Sequence, residues 1–433
     1  MQLSGWGRYP RGDCNLQSPL GETAARRMVA ETPQLLARGM GRSYGDAALG
    51  GSLLGTRQLD RLRAFDEQSG VLRCDAGVSL AEIIEVFLPR GWFLAVTPGT
   101  RFVSVGGAIA SDVHGKNHHL HGCFSEFVDS LILACGDGQI RHCSRSEHPE
   151  LFLATCGGMG LTGVILEATL RLRRISSAHI EQVTYKARNL QQALELFEEH
   201  HRSTYSVAWI DCVVSGAALG RSLLMIGEHA RDQDRHVRTR LPLSIPVDAP
   251  SALLNHYSIQ AFNSLYFHRV RRQRSEQRVD YRSFFYPLDG LGQWNRLYGR
   301  QGFVQYQFVL PREAGLDGLS GILQRIAASG RGSFLAVLKA FGPRNDSPLS
   351  FPLEGYTLAL DFKMQSDLLP LLDELDRQVL DHGGRLYLAK DARMSADTFR
   401  QSYPRWEEFQ ALRERYGARG KFVSLQAQRL GLE

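Results

Sequence analysis

Lysine is scarce. The chain carries six, at positions 116, 186, 339, 363, 390 and 421, among 51 basic residues, so solvated positive charge is left to arginine and each lysine becomes informative. Long apolar runs are missing too: no window approaches the ~18 uninterrupted apolar residues of a membrane span. Nothing apolar stands behind Arg8 and Arg11, so no signal peptide is read and the mature protein is expected to be the whole chain. Cys14, Cys74, Cys123, Cys135, Cys143, Cys156 and Cys212 are odd in number and form no C-x-x-C pair. That excludes a disulfide framework and reads as a reduced, cytoplasmic protein. There is no Gly-Lys-Ser/Thr phosphate loop, zinc-finger spacing or arginine-rich recognition helix, which argues against nucleoside-triphosphate and nucleic-acid binding.

What is there is an ordinary globular composition, 43% hydrophobic and 22% charged over 433 residues, with a net charge of +6. A single core stops growing at roughly 250–300 residues, so two domains, or one with a large insertion, are expected. Up to about residue 175, apolar runs at 34–37, 71–75, 93–96, 128–135 and 161–171 alternate with glycine-rich turns, and Ser79 to Leu88 has helical periodicity, an α+β pattern. Ser130 to Ile140 reads as a hairpin turning at Gly136 to Gly138. Beyond 172–180 the glycine clusters thin, with a helix expected over 190–200 and strands over 206–214 and 303–310. Glu228 to Arg282 holds ten arginines against six acids, interleaved with Leu241, Ile245, Leu253, Leu254, Ile259, Phe262, Leu265, Tyr266 and Phe267. A basic, apolar-studded segment of this kind suits a phosphorylated lipid or an anionic membrane surface, and equally a solvated arginine-rich face.

The chemistry gathers in three glycine clusters. Ala37 to Asp46 follows an apolar run, and Gly39, Gly41 and Gly45 let main-chain amides approach an anion; the spacing is not that of a dinucleotide-binding turn. Val96 to Thr100 and Val105 to His119 strip side chains from one surface, so that a flat ring or a phosphate can lie on the backbone, with Asp112, His114, Lys116 and Asn117 at once beyond. Cys156 to Gly163 repeats the device. Three such clusters point to one extended cofactor. His114, His118, His119 and His121 have neither a H-E-x-x-H pattern nor a cysteine partner, so they read as polar lining near that cofactor, with no metal expected.

Arg38-Gly-Met-Gly-Arg-Ser-Tyr-Gly-Asp46, Thr97-Pro-Gly-Thr100, Gly106 to His119, Phe341-Gly-Pro-Arg-Asn345 and Tyr387-Leu-Ala-Lys-Asp391 together resemble the decaprenylphosphoryl-β-D-ribose oxidase family, flavoenzymes of the vanillyl-alcohol-oxidase or PCMH type. The likeness runs from Gly5-Trp6-Gly7-Arg8 to the C-terminus. It implies a two-domain α+β fold, with an FAD-binding domain from residues 1–176 and 385–433 and an inserted antiparallel-sheet substrate domain over 177–384. The implied reaction is FAD-dependent oxidation of the C2 hydroxyl of a polyprenyl-phosphoryl-β-D-ribose to the 2-keto sugar. A separate NAD(P)H-dependent keto-reductase would then complete an epimerisation to the arabinose donor of cell-envelope polysaccharide. The expected location is the cytoplasm, with peripheral contact on the inner face of the plasma membrane. A soluble sugar or alditol oxidase of the same fold, returning electrons to oxygen, is the alternative.

Residue by residue, the resemblance implies FAD contacts from Arg38, Gly39, Gly41, Arg42, Ser43, Tyr44, Pro98, Gly99, Thr100, Gly106, Gly107, Ser111, Asp112, His114, Lys116, Asn117, Gly163, Tyr387 and Lys390. Gln307, Lys339, Tyr286, Thr357 and Ala359 are implied on the substrate side. Lys390 is assigned to the flavin edge or the substrate oxygen, while His114, Lys339 and Lys390 all stay eligible as the general base. Two departures stand out. Tyr44 occupies the place where sugar oxidases with covalent FAD carry a histidine, which implies dissociable FAD. Ala359 replaces the cysteine that nitroaromatic suicide inhibitors attack in mycobacterial members.

Overall fold

The computed structural model describes residues 1–237, 243–250 and 252–433. Leu241 of the basic segment lies outside the described residues.

The first sheet is antiparallel, in the order Ile140–Ser144, Val128–Ala134, Val164–Arg174, Val71–Asp75, Leu62–Phe65, with Trp92–Leu94 pairing the far end of Val164–Arg174. The hairpin read from Ser130 to Ile140 forms, Ile140 facing Ala134. The strand expected over 161–171 is displaced to Val164–Arg174. Gly157, Met159 and Gly160 have positive φ, so Leu161 to Gly163 still belongs to the turn and the run straightens only afterwards. Leu80–Phe87 is a helix with a capping box: Ser79 accepts from Glu82 N while the Glu82 carboxylate accepts from Ser79 N, and Leu80, Ile83, Ile84 and Phe87 are buried along one face. A small parallel sheet joins Asn15–Gln17, Ser52–Gly55 and Leu36–Arg38. Beside it Leu35 bridges in parallel to Phe422, so the chain's last segment completes the first domain.

The second sheet has eight antiparallel strands: Arg274–Asp280, His179–Ala187, Ser222–His229, Tyr205–Ile210, Ala336–Phe341, Gly355–Lys363, Phe303–Pro311 and Arg385–Leu386. Its last strand lies just past residue 384, and the chain then returns to the first domain. Helices Leu190–Glu199, Gly315–Ala328 and Leu368–Asp381 pack on one face. Alternation along Phe303–Pro311 shows why: Tyr306 reaches Asp376 of the last helix and Leu310 lies against Gly318, whereas Gln305 and Gln307 point the other way. The face carrying Gln305 and Gln307 looks toward the glycine loops, and the site lies between. Among the described residues no helix is long and apolar enough to cross a membrane.

Candidate active site

A cavity of about 380 Å³ runs between the glycine loops and the open face of the large sheet. One wall is main chain. Gly39, Gly41, Gly99, Gly106, Gly107, Gly160 and Gly163 line it with Arg42, Ser43, Tyr44, Pro98, Thr100 and Ser111. A Cβ on Gly99 would meet no atom within 4 Å and would project into the space. Gly41 has φ +62°, and a Cβ there would lie 2.6 Å from Arg38 Nη2, so the residue must be glycine for the turn to close.

The opposite wall is built by strand register. Gln307 pairs with Ala359, Ala359 with Val337, and Val337 with Trp209, so one cross-strand row faces the cavity. Lys339 opposite Thr357 forms the next row, and Gln305 opposite Asp361 the one beyond. His114 closes the end between the rings of Phe341 and Tyr387, at 4.7 and 5.4 Å. Its Nδ1 is 3.0 Å from Lys339 Nζ and its Nε2 3.1 Å from Gln307 Nε2.

Three of the six lysines, Lys116, Lys339 and Lys390, line this cavity. Burial pushes each down to about 7. Lys116 donates to the Phe284 carbonyl oxygen at 2.7 Å. Lys390 stands 3.9 Å over the ring of Tyr44, and the field of Asp361 opposes its desolvation. Asp361, pushed up to about 7 by its own burial, accepts from Gln305 at 2.5 Å and from Tyr298 at 3.5 Å. Burial also holds His114 well below the usual histidine range, with Lys339, His118 and Lys390 adding to it.

Of the residues expected to touch cofactor or substrate, five stand behind the walls. Arg38 turns its guanidinium to the carbonyls of Ala48 and Ser4, beneath the Gly41 turn. Asp112 is fully buried and accepts from Ser125 N, Asn345 Nδ2 and Ser350 Oγ, clamping the Phe341 to Asn345 motif onto the first domain. Asn117 donates to Ala95 O, Tyr286 bonds Thr97 Oγ1 at 2.6 Å, and Thr357 lies beneath Gln307. Their side chains, expected to touch cofactor or substrate, instead support the wall from behind in this structure. The histidine cluster divides in the same way. His114 lines the cavity, but His118 accepts from Gly342 N, His119 faces Ser203 O, and neither they nor His121 reach it. The remaining predicted residues do line it. Trp6, Trp209, Gln305 and Asp289 line the cavity unforeseen, and Asp361 behind them was unforeseen too. A lone carboxylate in the apolar strand Tyr356 to Phe362 was the signal that could have found it.

A cleft walled largely by glycine main chain and opening onto three buried lysines fits a dinucleotide whose flat ring ends among them. A family model described as an FAD binding domain matches residues 23–144. The chain is an FAD-dependent oxidoreductase. Over 450 aligned residues it is 37% identical to the decaprenylphosphoryl-β-D-ribose oxidase of Mycolicibacterium smegmatis, covering 100% of this chain and 97% of that one. It belongs to the decaprenylphosphoryl-β-D-ribose oxidase family. An uncharacterised protein of Streptomyces coelicolor is 32% identical over 82% of this chain and 100% of its own length. The L-gulonolactone oxidase of Bos taurus is 28% identical over 37% of this chain and 36% of its own.

Proposed function

We propose that this chain oxidises the C2 hydroxyl of a polyprenyl-phosphoryl-β-D-ribose to the 2-keto sugar. The observation that carries the reading is the full-length identity to an oxidase of that name, joined to a pocket whose wall holds both sugar-binding polar groups and apolar side chains. FAD, when bound along the glycine wall, would supply a two-electron oxidant for the C–H bond. The protein's part is to bind, orient and manage charge. The glycine wall and Tyr44 hold the cofactor, Gln307 and Lys339 meet the sugar, and Lys390 answers the charge that develops at the reacting oxygen or flavin edge. The hydroxyl proton must leave to a group at the same wall. The keto product requires a separate NAD(P)H-dependent keto-reductase to become the arabinose epimer.

The lipid enters this reading through Tyr266. It lines the cavity against Trp209, with ring centroids 4.8 Å apart, and belongs to helix His256–His268, whose outer side exposes Tyr257 (80%), Leu265 (75%) and Phe262 (43%). Each CH₂ of an isoprenoid exposed to water costs about 0.8 kcal/mol, so the enzyme goes to the bilayer. Arg269, Arg271, Arg272 and Arg274 follow the helix, each contributing about 1 kcal/mol near an anionic surface. On this reading the enzyme works as a cytoplasmic protein that docks reversibly on the inner face of the plasma membrane.

Anaerobic mixing with polyprenyl-phosphoryl ribose should bleach the flavin, whereas ribitol should leave it yellow. The reverse result would favour the soluble alditol oxidase. Vesicle co-sedimentation at low salt should be lost when the four arginines become serine. Equal binding by both proteins, or none by either, removes the membrane from the account.

A further inference from the structure

We propose that Lys339 works as a neutral hydrogen-bond donor to the sugar, its charge state dictated by a strand carbonyl through Thr357, Gln307 and His114. The inference rests on the sugar-oxidation reading above, and it follows hydrogen-bond polarity from an atom that has no choice. The Phe308 carbonyl oxygen can only accept, and Thr357 Oγ1 lies 2.8 Å from it, so the hydroxyl's single proton points there. Thr357 Oγ1 must then accept from Gln307, 3.2 Å away, which fixes the amide nitrogen on that side. The second proton of the same nitrogen points to His114 Nε2 at 3.1 Å. His114 is buried and neutral, with one N–H. Since Nε2 accepts, the proton is on Nδ1.

Nδ1 stands 3.0 Å from Lys339 Nζ. An ammonium has three donors and no acceptor, so it would meet the ring N–H donor to donor. A neutral amine accepts that proton on its lone pair and keeps two N–H groups for the cavity it lines. The surrounding charges agree. The titratable groups facing Lys339 are His114 and His118 from the histidine segment, Lys116 beside them and Lys390 from the C-terminal return. Burial, then Lys116 and Lys390, push Lys339 down to about 7. Three ammonium groups around one cavity repel, and Lys390 is the one with an opposing carboxylate near it, Asp361.

Two consequences follow for the reaction. With both His114 nitrogens and the Lys339 lone pair engaged, neither residue is free to take the hydroxyl proton, which withdraws both from the eligible bases. A neutral donor also has no special hold on a phosphodiester anion, so the ribose hydroxyls, not the phosphate, belong at Lys339. It is a positioning and specificity residue.

The test reads the His114 tautomer in FAD-loaded protein labelled with ¹⁵N-histidine, assigned by difference against His114→Gln, at mildly alkaline pH. The expected state is Nδ1–H. A Thr357→Val variant frees Gln307 to turn and should shift His114 toward Nε2–H, while Thr357→Ser should restore Nδ1–H. An Nε2–H ring in the unaltered protein, or a tautomer indifferent to Thr357→Val, overturns the proposal. The second arm uses whichever alcohol reduces the flavin. Lys339→Gln offers a carbonyl to His114 Nδ1–H and an NH₂ to the sugar, so it should keep at least tenfold more kcat/KM than the charge-conserving Lys339→Arg, with the Gln loss falling mainly in KM. Arginine equal to or better than glutamine also overturns it. Because the tautomer needs no substrate, failure of polyprenyl-phosphoryl ribose to bleach the flavin would sink the function reading alone.

Discussion

Ala359 decides what can be attached to this protein. It faces the cavity between Gln307 and Val337, where the family resemblance implies a cysteine in the members that nitroaromatic inhibitors attack. The seven cysteines here are free and buried, and none lines the cavity. Such inhibitors are expected to leave the chain unmodified, and Ala359→Cys to render it susceptible, gaining one adduct by mass spectrometry. Tyr44 supports a parallel expectation for the cofactor. His114 is the one histidine on the cavity wall among the described residues, and both of its nitrogens are engaged. Acid precipitation should therefore leave the yellow colour in the supernatant; colour in the washed pellet would contradict it. Lys390→Met should keep FAD bound while slowing its reduction on the order of 10²-fold, measured in an anaerobic stopped-flow. At this scale the sequence was readable where chemistry forces a residue type. Glycines were legible because only they let backbone approach a cofactor, and lysines because the chain has so few. Arg38, Asp112 and Asn117 sit among those glycines but point away, and direction is set by strand and turn geometry that a string of letters does not carry. Asp361 escaped because a buried carboxylate inside a strand is invisible until its partners, Gln305 and Tyr298, are known.

The loop from Gly39 to Asp46 acts as an element in its own right, held from both ends of the chain. Trp6 N donates to Ser43 O and Tyr44 N to Ala389 O. Arg429 of helix Leu425–Leu430 pairs with both Asp46 and Asp391. Gly45 is the tightest point, since a Cβ there would overlap the Asp391 carbonyl oxygen. Gly45→Ala is expected to lift the loop off the Lys390 segment and yield folded protein with much less flavin, seen as a lower ratio of visible to ultraviolet absorbance. A wild-type ratio would show that the approach is not needed. The hairpin at Val128–Ala134 and the helix Leu190–Glu199 were plain in the sequence, since each carries a local period and a local turn or cap. The eight-stranded sheet was not. Its cavity row joins residues 209, 307, 337 and 359, and no local pattern reports which distant strands pair.

At the scale of the whole molecule, the cavity belongs to neither sheet alone. One wall comes from the first 165 residues and from Tyr387 to Lys390, and the other from the large sheet with Tyr266 and the 285–294 segment. A chain ended at Gly384 lacks Lys390, the Phe422 bridge to Leu35 and the Arg429 pairs. It is expected to retain no FAD after gel filtration, even where the central sheet still forms. The bridge between Leu35 and Phe422 has a further consequence in time. On the ribosome Leu35 emerges early and its partner almost last, and at roughly 5–20 residues per second tens of seconds of synthesis separate them. Through that interval the nascent first domain waits with an open flank where its final segment will seat, while the inserted sheet folds in front of it. The Tyr387 to Lys390 edge is thus the last piece of the cavity to be made, and a chain stopped before it is expected to leave the glycine wall without the lysine that faces it.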